Sequence, residues 1–273
     1  MTVSLKNPDH TRYIRFLTAL LALSLCFSSC PSPSMAQPSQ EELKKAIRQV
    51  LKDNPDLVMD ILKENSETVL EIAQQGNTLR KRKAVHAQWQ EDLKKPKTVD
   101  LKDRAFLGKP DAPVTIVAYS DYTCPYCRQA EHILVQLMEK YSGKVRYVFK
   151  VLPKEDPVSL TLAKYSTAAF LLDREKGWKL YELLFGNVEQ FEREGESYIR
   201  QVSTELGFDY KKLKAEASGT RAEARLAADR KEADGLGITG TPYFLVNDLL
   251  IRGAVGRDLF EEAIELALEQ KGK

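Results

Sequence analysis

Val114-Thr115-Ile116-Val117-Ala118-Tyr119-Ser120-Asp121-Tyr122-Thr123-Cys124-Pro125-Tyr126-Cys127 decides how the rest of the chain is read. Val114 to Tyr119 is β-rich and mostly apolar, as a strand covered on both faces should be. Two cysteines three residues apart follow at once. Apolar residues then recur at helical spacing through Ile133, Leu134, Leu137 and Met138. A buried strand running into a helix therefore delivers Cys124 to the helix N-terminus. There, unpaired N–H groups and the positive end of the helix dipole favour a thiolate, the form of cysteine that attacks a disulfide. Cys127 lies one turn on and is expected to be the more buried thiol, closing the pair and releasing a mixed disulfide. Pro125 suits the first turn, where its missing N–H has no partner. Pro125 and Tyr126 are expected to tune the reduction potential.

Working outward, Gly143 ends that helix and Val145 to Phe149 make a second strand. From Val158 to about Asp234 the chain reads as helical, with breaks near Gly177, Gly186, Gly195, Gly207 and Gly219. Gly240-Thr241-Pro242 then leads into a short strand, Tyr243 to Val246, a turn at Asn247-Asp248, a strand from Leu249 to Arg252 and a last helix from Arg257 to Glu269. A proline ahead of a strand, after glycine and in an apolar context, is a candidate cis bond.

On the other side, Ser39 caps a helix in which Leu43, Ile47, Val50 and Leu51 share a face. Pro55 opens a second helix carrying Leu57, Val58, Ile61, Leu62, Val69, Leu70 and Ile72. Gly76-Asn77 offers a stop, after which a charged helix resumes to Trp89. Such short helices bury too little to stand alone, so their apolar faces pack on the main domain or on copies of themselves. Glu91 to Arg104 is charged, contains Pro96 and reads as a linker. The expected organisation is residues 1–36 as a signal, 37–90 as a helical N-terminal region, 91–104 as a linker, and 105–273 as an α/β domain with a helical insertion at about 155–234.

The chain carries 41 basic and 39 acidic residues, a formal charge of +2, without the basic excess that phosphate binding needs. Nucleic acid is therefore excluded as the main partner. The run Arg80-Lys81-Arg82-Lys83 reads as a solvated helix face. Lys6, Arg12 and Arg15 precede an apolar stretch from Phe16 to Phe27, too short to span a bilayer, followed by small residues and prolines. This is the order of an export signal. Cleavage after Ala36, in Ser34-Met35-Ala36, is one route. Lipidation of Cys30, in Phe27-Ser28-Ser29-Cys30, is the other. Either leaves Cys124 and Cys127 as the only cysteines of the mature domain. A structural zinc site needs four ligands, and only His86 and His132 remain to join the pair. His132 reads as a surface helix residue. No metal and no cofactor is expected beyond a Cys124–Cys127 disulfide.

Asp121 to Cys127 resembles the active-site run of the DsbA-like branch of the thioredoxin superfamily. Gly237-Ile238-Thr239-Gly240-Thr241-Pro242-Tyr243-Phe244-Leu245-Val246 is similar to its cis-proline loop, and Lys109 to Ile116 to the lead-in of its first core strand. The resemblance implies a thioredoxin-like α/β fold with a helical insertion, preceded by a small all-α region, in which Thr241 and Pro242 contact substrate beside the cysteines. Leu51-Lys52-Asp53-Asn54-Pro55-Asp56-Leu57 resembles the N-terminal region of ScsC-like suppressor-of-copper-sensitivity proteins, which implies a homo-oligomer formed through these helices. The expected activity is that of a periplasmic or exported thiol–disulfide oxidoreductase. It forms, reduces or isomerises disulfides in exported client proteins and is served by a membrane redox partner. The alternative is thiol-dependent copper binding, since two thiolates suit Cu(I). A buried acid that relays protons to Cys127 is also expected. Asp121 is nearest but reads first as a turn or cap residue, and Lys150, ending the second strand, is a comparable candidate.

Overall fold

The computed structural model describes residues 39–272. The expected signal and both of its processing sites lie outside the described residues. The chain divides into two compact units, one ending at Ala73 and one beginning at Gln74.

In the first unit, α1 (Gln40–Asp53) opens with a reciprocal cap. Ser39 Oγ accepts from the Glu42 amide at 3.3 Å, and the Glu42 carboxylate accepts from the Ser39 amide at 2.8 Å. Pro55 starts α2 (Pro55–Glu64), and α3 (Ser66–Asp92) follows. No residue of α1 or α2 is buried. Leu43, Ile47, Val50, Leu51, Leu57, Ile61 and Leu62 are each 40–52% exposed. The stop expected at Gly76-Asn77 does not occur: α3 is continuous there. A helical glycine costs only about 1 kcal/mol relative to alanine, too little to interrupt a helix of 27 residues.

The division between Ala73 and Gln74 falls inside α3, and the end of α3 is anchored in the second unit. Trp89 and Asp92 are buried there. The Trp89 indole donates to the Leu250 carbonyl at 3.0 Å, and an Asp92 carboxylate oxygen accepts from the Leu250 amide at 3.1 Å. Leu250 belongs to an edge strand, so these two bonds occupy backbone groups that would otherwise invite pairing with another chain. The segment expected to be a linker is irregular beyond Lys95 but strapped down. The Lys97 amide donates to Asp248 at 2.6 Å and the Asp100 amide to Glu232 at 2.6 Å.

The second unit is built on a five-stranded mixed sheet. Its strands are β1 (Leu107–Gly108), β2 (Val114–Ser120), β3 (Val145–Val151), β4 (Tyr243–Val246) and β5 (Leu249–Arg252), in the order β1-β3-β2-β4-β5. Only β2 and β3 are parallel, joined by α4 (Pro125–Lys140). β4 pairs antiparallel with β2, holding Ile116 opposite Val246 and Tyr119 opposite Tyr243. Asn247 takes a positive φ of 50° at the β4–β5 turn, and its Oδ1 accepts from the Thr115 amide at 2.8 Å.

Strand alternation divides the core. Ile116, Ala118, Tyr147, Phe149, Phe244 and Ile251 face one side, with α4 and α11 (Arg257–Lys271). Val117, Tyr119, Val148, Leu245 and Leu250 face the other, with Ala233 and Ile238.

Between β3 and β4 lies the expected helical insertion: α5 (Pro157–Leu172), α6 (Arg174–Gly186), α7 (Val188–Glu194), α8 (Glu196–Glu205), α9 (Tyr210–Ala217) and α10 (Thr220–Gly235). Breaks fall at or beside Gly186, Gly195, Gly207 and Gly219 as expected, and not at Gly177. The chain turns at Asp173, whose carboxylate caps α6 by accepting from the Lys176 amide. Gly177 is buried inside α6, where a Cβ would stand 2.5 Å from Phe170 Cδ1. Close helix packing, and not a turn, requires that glycine.

Candidate functional site

Cys124 is the N-cap residue of α4, with extended backbone (φ −83°, ψ 117°), and Pro125 fills the first turn. The Cys124 carbonyl accepts from the Cys127 and Arg128 amides at 3.0 and 3.1 Å, which locks the turn carrying both sulfurs. Cys124 is 5% exposed and Cys127 fully buried; both are free thiols. Tyr126, 64% exposed, stands at the lip. The Thr241–Pro242 bond is cis, and it places the Thr241 carbonyl 3.6 Å from Cys124 Sγ, which donates to it. Residues 117 apart in sequence thus meet at one sulfur.

Burial pushes the Cys127 thiol up to about 12. The Ser120 hydroxyl, the Asp121 amide and the Thr241 hydroxyl pull the other way, and Cys124 opposes ionisation further. The Asp121 amide lies 3.5 Å from Cys127 Sγ. The Asp121 side chain is turned elsewhere. One oxygen accepts from the Thr123 amide and hydroxyl at 2.8 and 2.9 Å, the other from the Lys154 amide at 3.0 Å and the Ser159 hydroxyl at 2.8 Å. Asp121 is a turn residue that also ties the end of β2 to the start of α5.

Lys150 is fully buried on the face of the sheet turned away from α4. It pairs with Glu232 and lies 3.8 Å from Asp229, which also forms a two-pronged pair with Arg104. Burial lowers Lys150 and raises Asp229 from their ordinary values. Lys150 therefore belongs to an ionic cluster behind the sheet and not to the thiols. His132 is exposed, as expected. His86 pairs with Glu262 at 2.7 Å.

Sequence reasoning missed Glu131, whose only sequence signal is its position one helical turn beyond Cys127. Its carboxylate accepts from the Tyr147 and Tyr181 hydroxyls inside an aromatic cluster with Tyr122, Phe149 and Phe185. Burial raises Glu131 to about 7 from an ordinary 4.5. Through the interval between those values the unfolded chain ionises this group while the folded chain keeps it neutral. Its contribution to stability is therefore complete below 4.5 and lost as pH rises toward 7, by about 3 kcal/mol in all. Urea unfolding of Glu131→Gln beside the parent should show that slope in the parent alone. Parallel stability curves across the window would refute it.

A family model described as Thioredoxin matches residues 100–266. The chain belongs to the thioredoxin family. Among its relatives is the disulfide bond formation protein D of Bacillus subtilis, 28% identical over 179 residues, 63% of this chain and 80% of that protein. A thioredoxin-like oxidoreductase of Silicibacter pomeroyi superposes with a TM-score of 0.54 at 29% identity, over 62% of this chain and 94% of its own. Proteus mirabilis ScsC shares the fold with a TM-score of 0.55 at 21% identity, over 85% of this chain and 97% of its own. The first curated relatives are Na(+)/H(+) antiporters NhaA, of whose length the chain spans 21–26%. The thioredoxin-like fold with a helical insertion is thus the one expected, and so is the DsbA-like and ScsC-like resemblance. These comparisons do not favour the copper reading. Among the described residues no group of three or more His, Cys, Asp or Glu side chains is arranged to hold a metal, and no helix is long and apolar enough to cross a membrane.

Proposed function

We propose that this chain catalyses thiol–disulfide exchange in exported proteins, with Cys124 as the attacking thiol and Cys127 as the resolving one. The observation that carries this reading is the meeting of the α4 N-cap cysteine, its buried neighbour and the Thr241 carbonyl at a single point. A fold alone does not assign an activity, but this constellation contains each part the reaction needs. There is a nucleophile at a helix N-terminus, a second thiol one turn away, and a backbone carbonyl ahead of an outward strand end against which an extended peptide can lie. Similarity to a disulfide bond formation protein supports the same chemistry. Pro125 and Tyr126 tune the couple, and Thr241 and Pro242 contact the client.

The charged and apolar order of residues 6–27 supports export, and a membrane redox partner would then keep the pair in its working state. The exposed apolar residues of α1 and α2 support self-association of the chain. The test is catalysis by the purified protein in both directions: reduction of an insulin disulfide by the dithiol form, and oxidation of a reduced client by the disulfide form. No rate above the uncatalysed background in either direction would sink the proposal. Where exchange is seen, the reduction potential of the pair and the mass in solution separate an oxidising monomer from an isomerase or reductase oligomer.

A further inference from the structure

Cys127 must become a thiolate to resolve a mixed disulfide, yet it sits in the least favourable place for a charge. It is fully buried, packed among Ala130, Leu134 and Tyr122 in the main core. Among the described residues no carboxylate is hydrogen-bonded to it. On α4, Glu131 is held by Tyr147 and Tyr181, and on β2 the Asp121 carboxylate is filled by Thr123, Lys154 and Ser159. Lys150 of β3, with Glu232 and Asp229 of α10, faces the other side of the sheet. Two positions before Ser120 on the α4 side stands Ala118, which has nothing to titrate.

Ser120 is the last residue of β2, and strand alternation turns its side chain to the same side as Ile116 and Ala118, against α4. It is fully buried, and its hydroxyl has no hydrogen-bond partner among the described residues. A buried hydroxyl without a partner costs roughly 1–3 kcal/mol, so one that persists in a close-packed core calls for an explanation. Its backbone is fixed, since the Ser120 carbonyl accepts from the Leu152 amide at 2.8 Å. The neighbouring Asp121 amide is aimed at Cys127 Sγ from 3.5 Å. Against the effect of burial, the Ser120 and Thr241 hydroxyls both pull the Cys127 thiol down.

We propose that the Ser120 hydroxyl is the hydrogen-bond donor that stabilises the Cys127 thiolate during resolution, acting with the Asp121 amide and the Thr241 hydroxyl in place of a charged partner. This inference rests on the exchange reading above. In the step concerned, Cys127 Sγ attacks Cys124 Sγ. The Cys124–Cys127 bond forms as the bond between Cys124 and the client sulfur breaks. The electron pair leaves on the client thiolate, which takes up the proton that Cys127 gave up. Ser120 keeps its own proton throughout and only points it at the sulfur that becomes negative.

The test follows the two steps separately by stopped flow, using a chromogenic aryl disulfide as the probe. The first burst of aryl thiol reports attack by Cys124, and the second reports resolution by Cys127. In Ser120→Ala the second phase should slow roughly tenfold, the value of one hydrogen bond to a charged sulfur. The first phase should be unchanged. The midpoint of the second phase against pH should move up by about one unit, and Ser120→Thr should restore both. Ser120→Gly removes the hydroxyl without adding any atom and serves if the alanine variant folds poorly. An unchanged second phase with an unchanged pH midpoint would overturn the proposal, as would equal slowing of both phases, which marks a structural role. A parent that shows no first phase would refute the exchange reading itself and not merely this assignment.

Discussion

Replacing Cys127 by serine should turn the protein from a catalyst into a trap, with client held on Cys124 as a mixed disulfide and turnover at the uncatalysed background. The expectation follows from the unequal placement of the two sulfurs. Cys124 occupies the N-cap of α4, lies against the Thr241 carbonyl and keeps 5% of its surface exposed. Cys127 is fully buried and raised to about 12, so it does not compete as a nucleophile toward an outside disulfide. Its task is intramolecular, and there its effective concentration next to Cys124 offsets a low thiolate fraction. Serine keeps the volume of the side chain almost unchanged but cannot form a disulfide. Cys124→Ser should abolish adduct formation and turnover alike. Mass spectrometry of each variant after incubation with an oxidised client, under non-reducing conditions, reads both outcomes. Equal adduct formation by both variants would reverse or void the assignment of attacking and resolving roles.

Two neighbours of the buried thiol show why chemistry was easier to read from this sequence than its setting. The strand–helix junction at Cys124 was legible because period-2 and period-3.6 patterns meet at that residue, and the thiol pair lies within one turn. Thr241–Pro242 was legible for a similar local reason: a glycine, a proline and a strand in succession. Ser120 and Glu131 carry no such local mark. Ser120 looks like an ordinary polar strand end until the sheet turns it toward Cys127. Glu131 looks like one more charged helix residue until Tyr147 and Tyr181, from 16 and 50 residues away, enclose its carboxylate.

The break misplaced at Gly177 has the same origin. Gly177 reads as a break because glycine often ends helices, whereas close packing against Phe170 of the preceding helix requires it within α6. The sequence turns charged after Trp89 and marks no partner for it, yet Trp89 and Asp92 are bound to Leu250, about 160 residues later. Patterns repeated over a turn or a strand report local structure well. A single side chain whose partner is distant reports nothing until the fold brings the two together.

The largest stability effect outside the thiols is expected at Asp229. Its carboxylate, almost fully buried behind the sheet, takes two hydrogen bonds from Arg104 and lies 3.8 Å from Lys150, itself fully buried and placed 5.7 Å from the Tyr119 ring. Arg104 is only 9% exposed. Removing the carboxylate in Asp229→Ala therefore leaves a guanidinium in a low-dielectric setting without its partner, and leaves Lys150 to Glu232 alone. The loss should be about 3–5 kcal/mol, the usual cost of breaking a buried pair on one side. Exposed pairs such as Lys179–Glu175 on α6 should cost far less when broken, because solvent screens them. Urea unfolding gives the comparison directly, since a lower midpoint at unchanged slope is a loss of native stability. The cluster also fastens the strap around Arg104 to α10, so the variant should become sensitive to proteolysis between residues 96 and 104 before the rest of the domain opens. Because the cluster lies across the sheet from α4, exchange per folded molecule should match the parent. A fall in specific activity at full folding would mean that the charges behind Tyr119 reach through the sheet to the sulfurs, and Lys150 would regain the role in thiol chemistry that its placement here denies it.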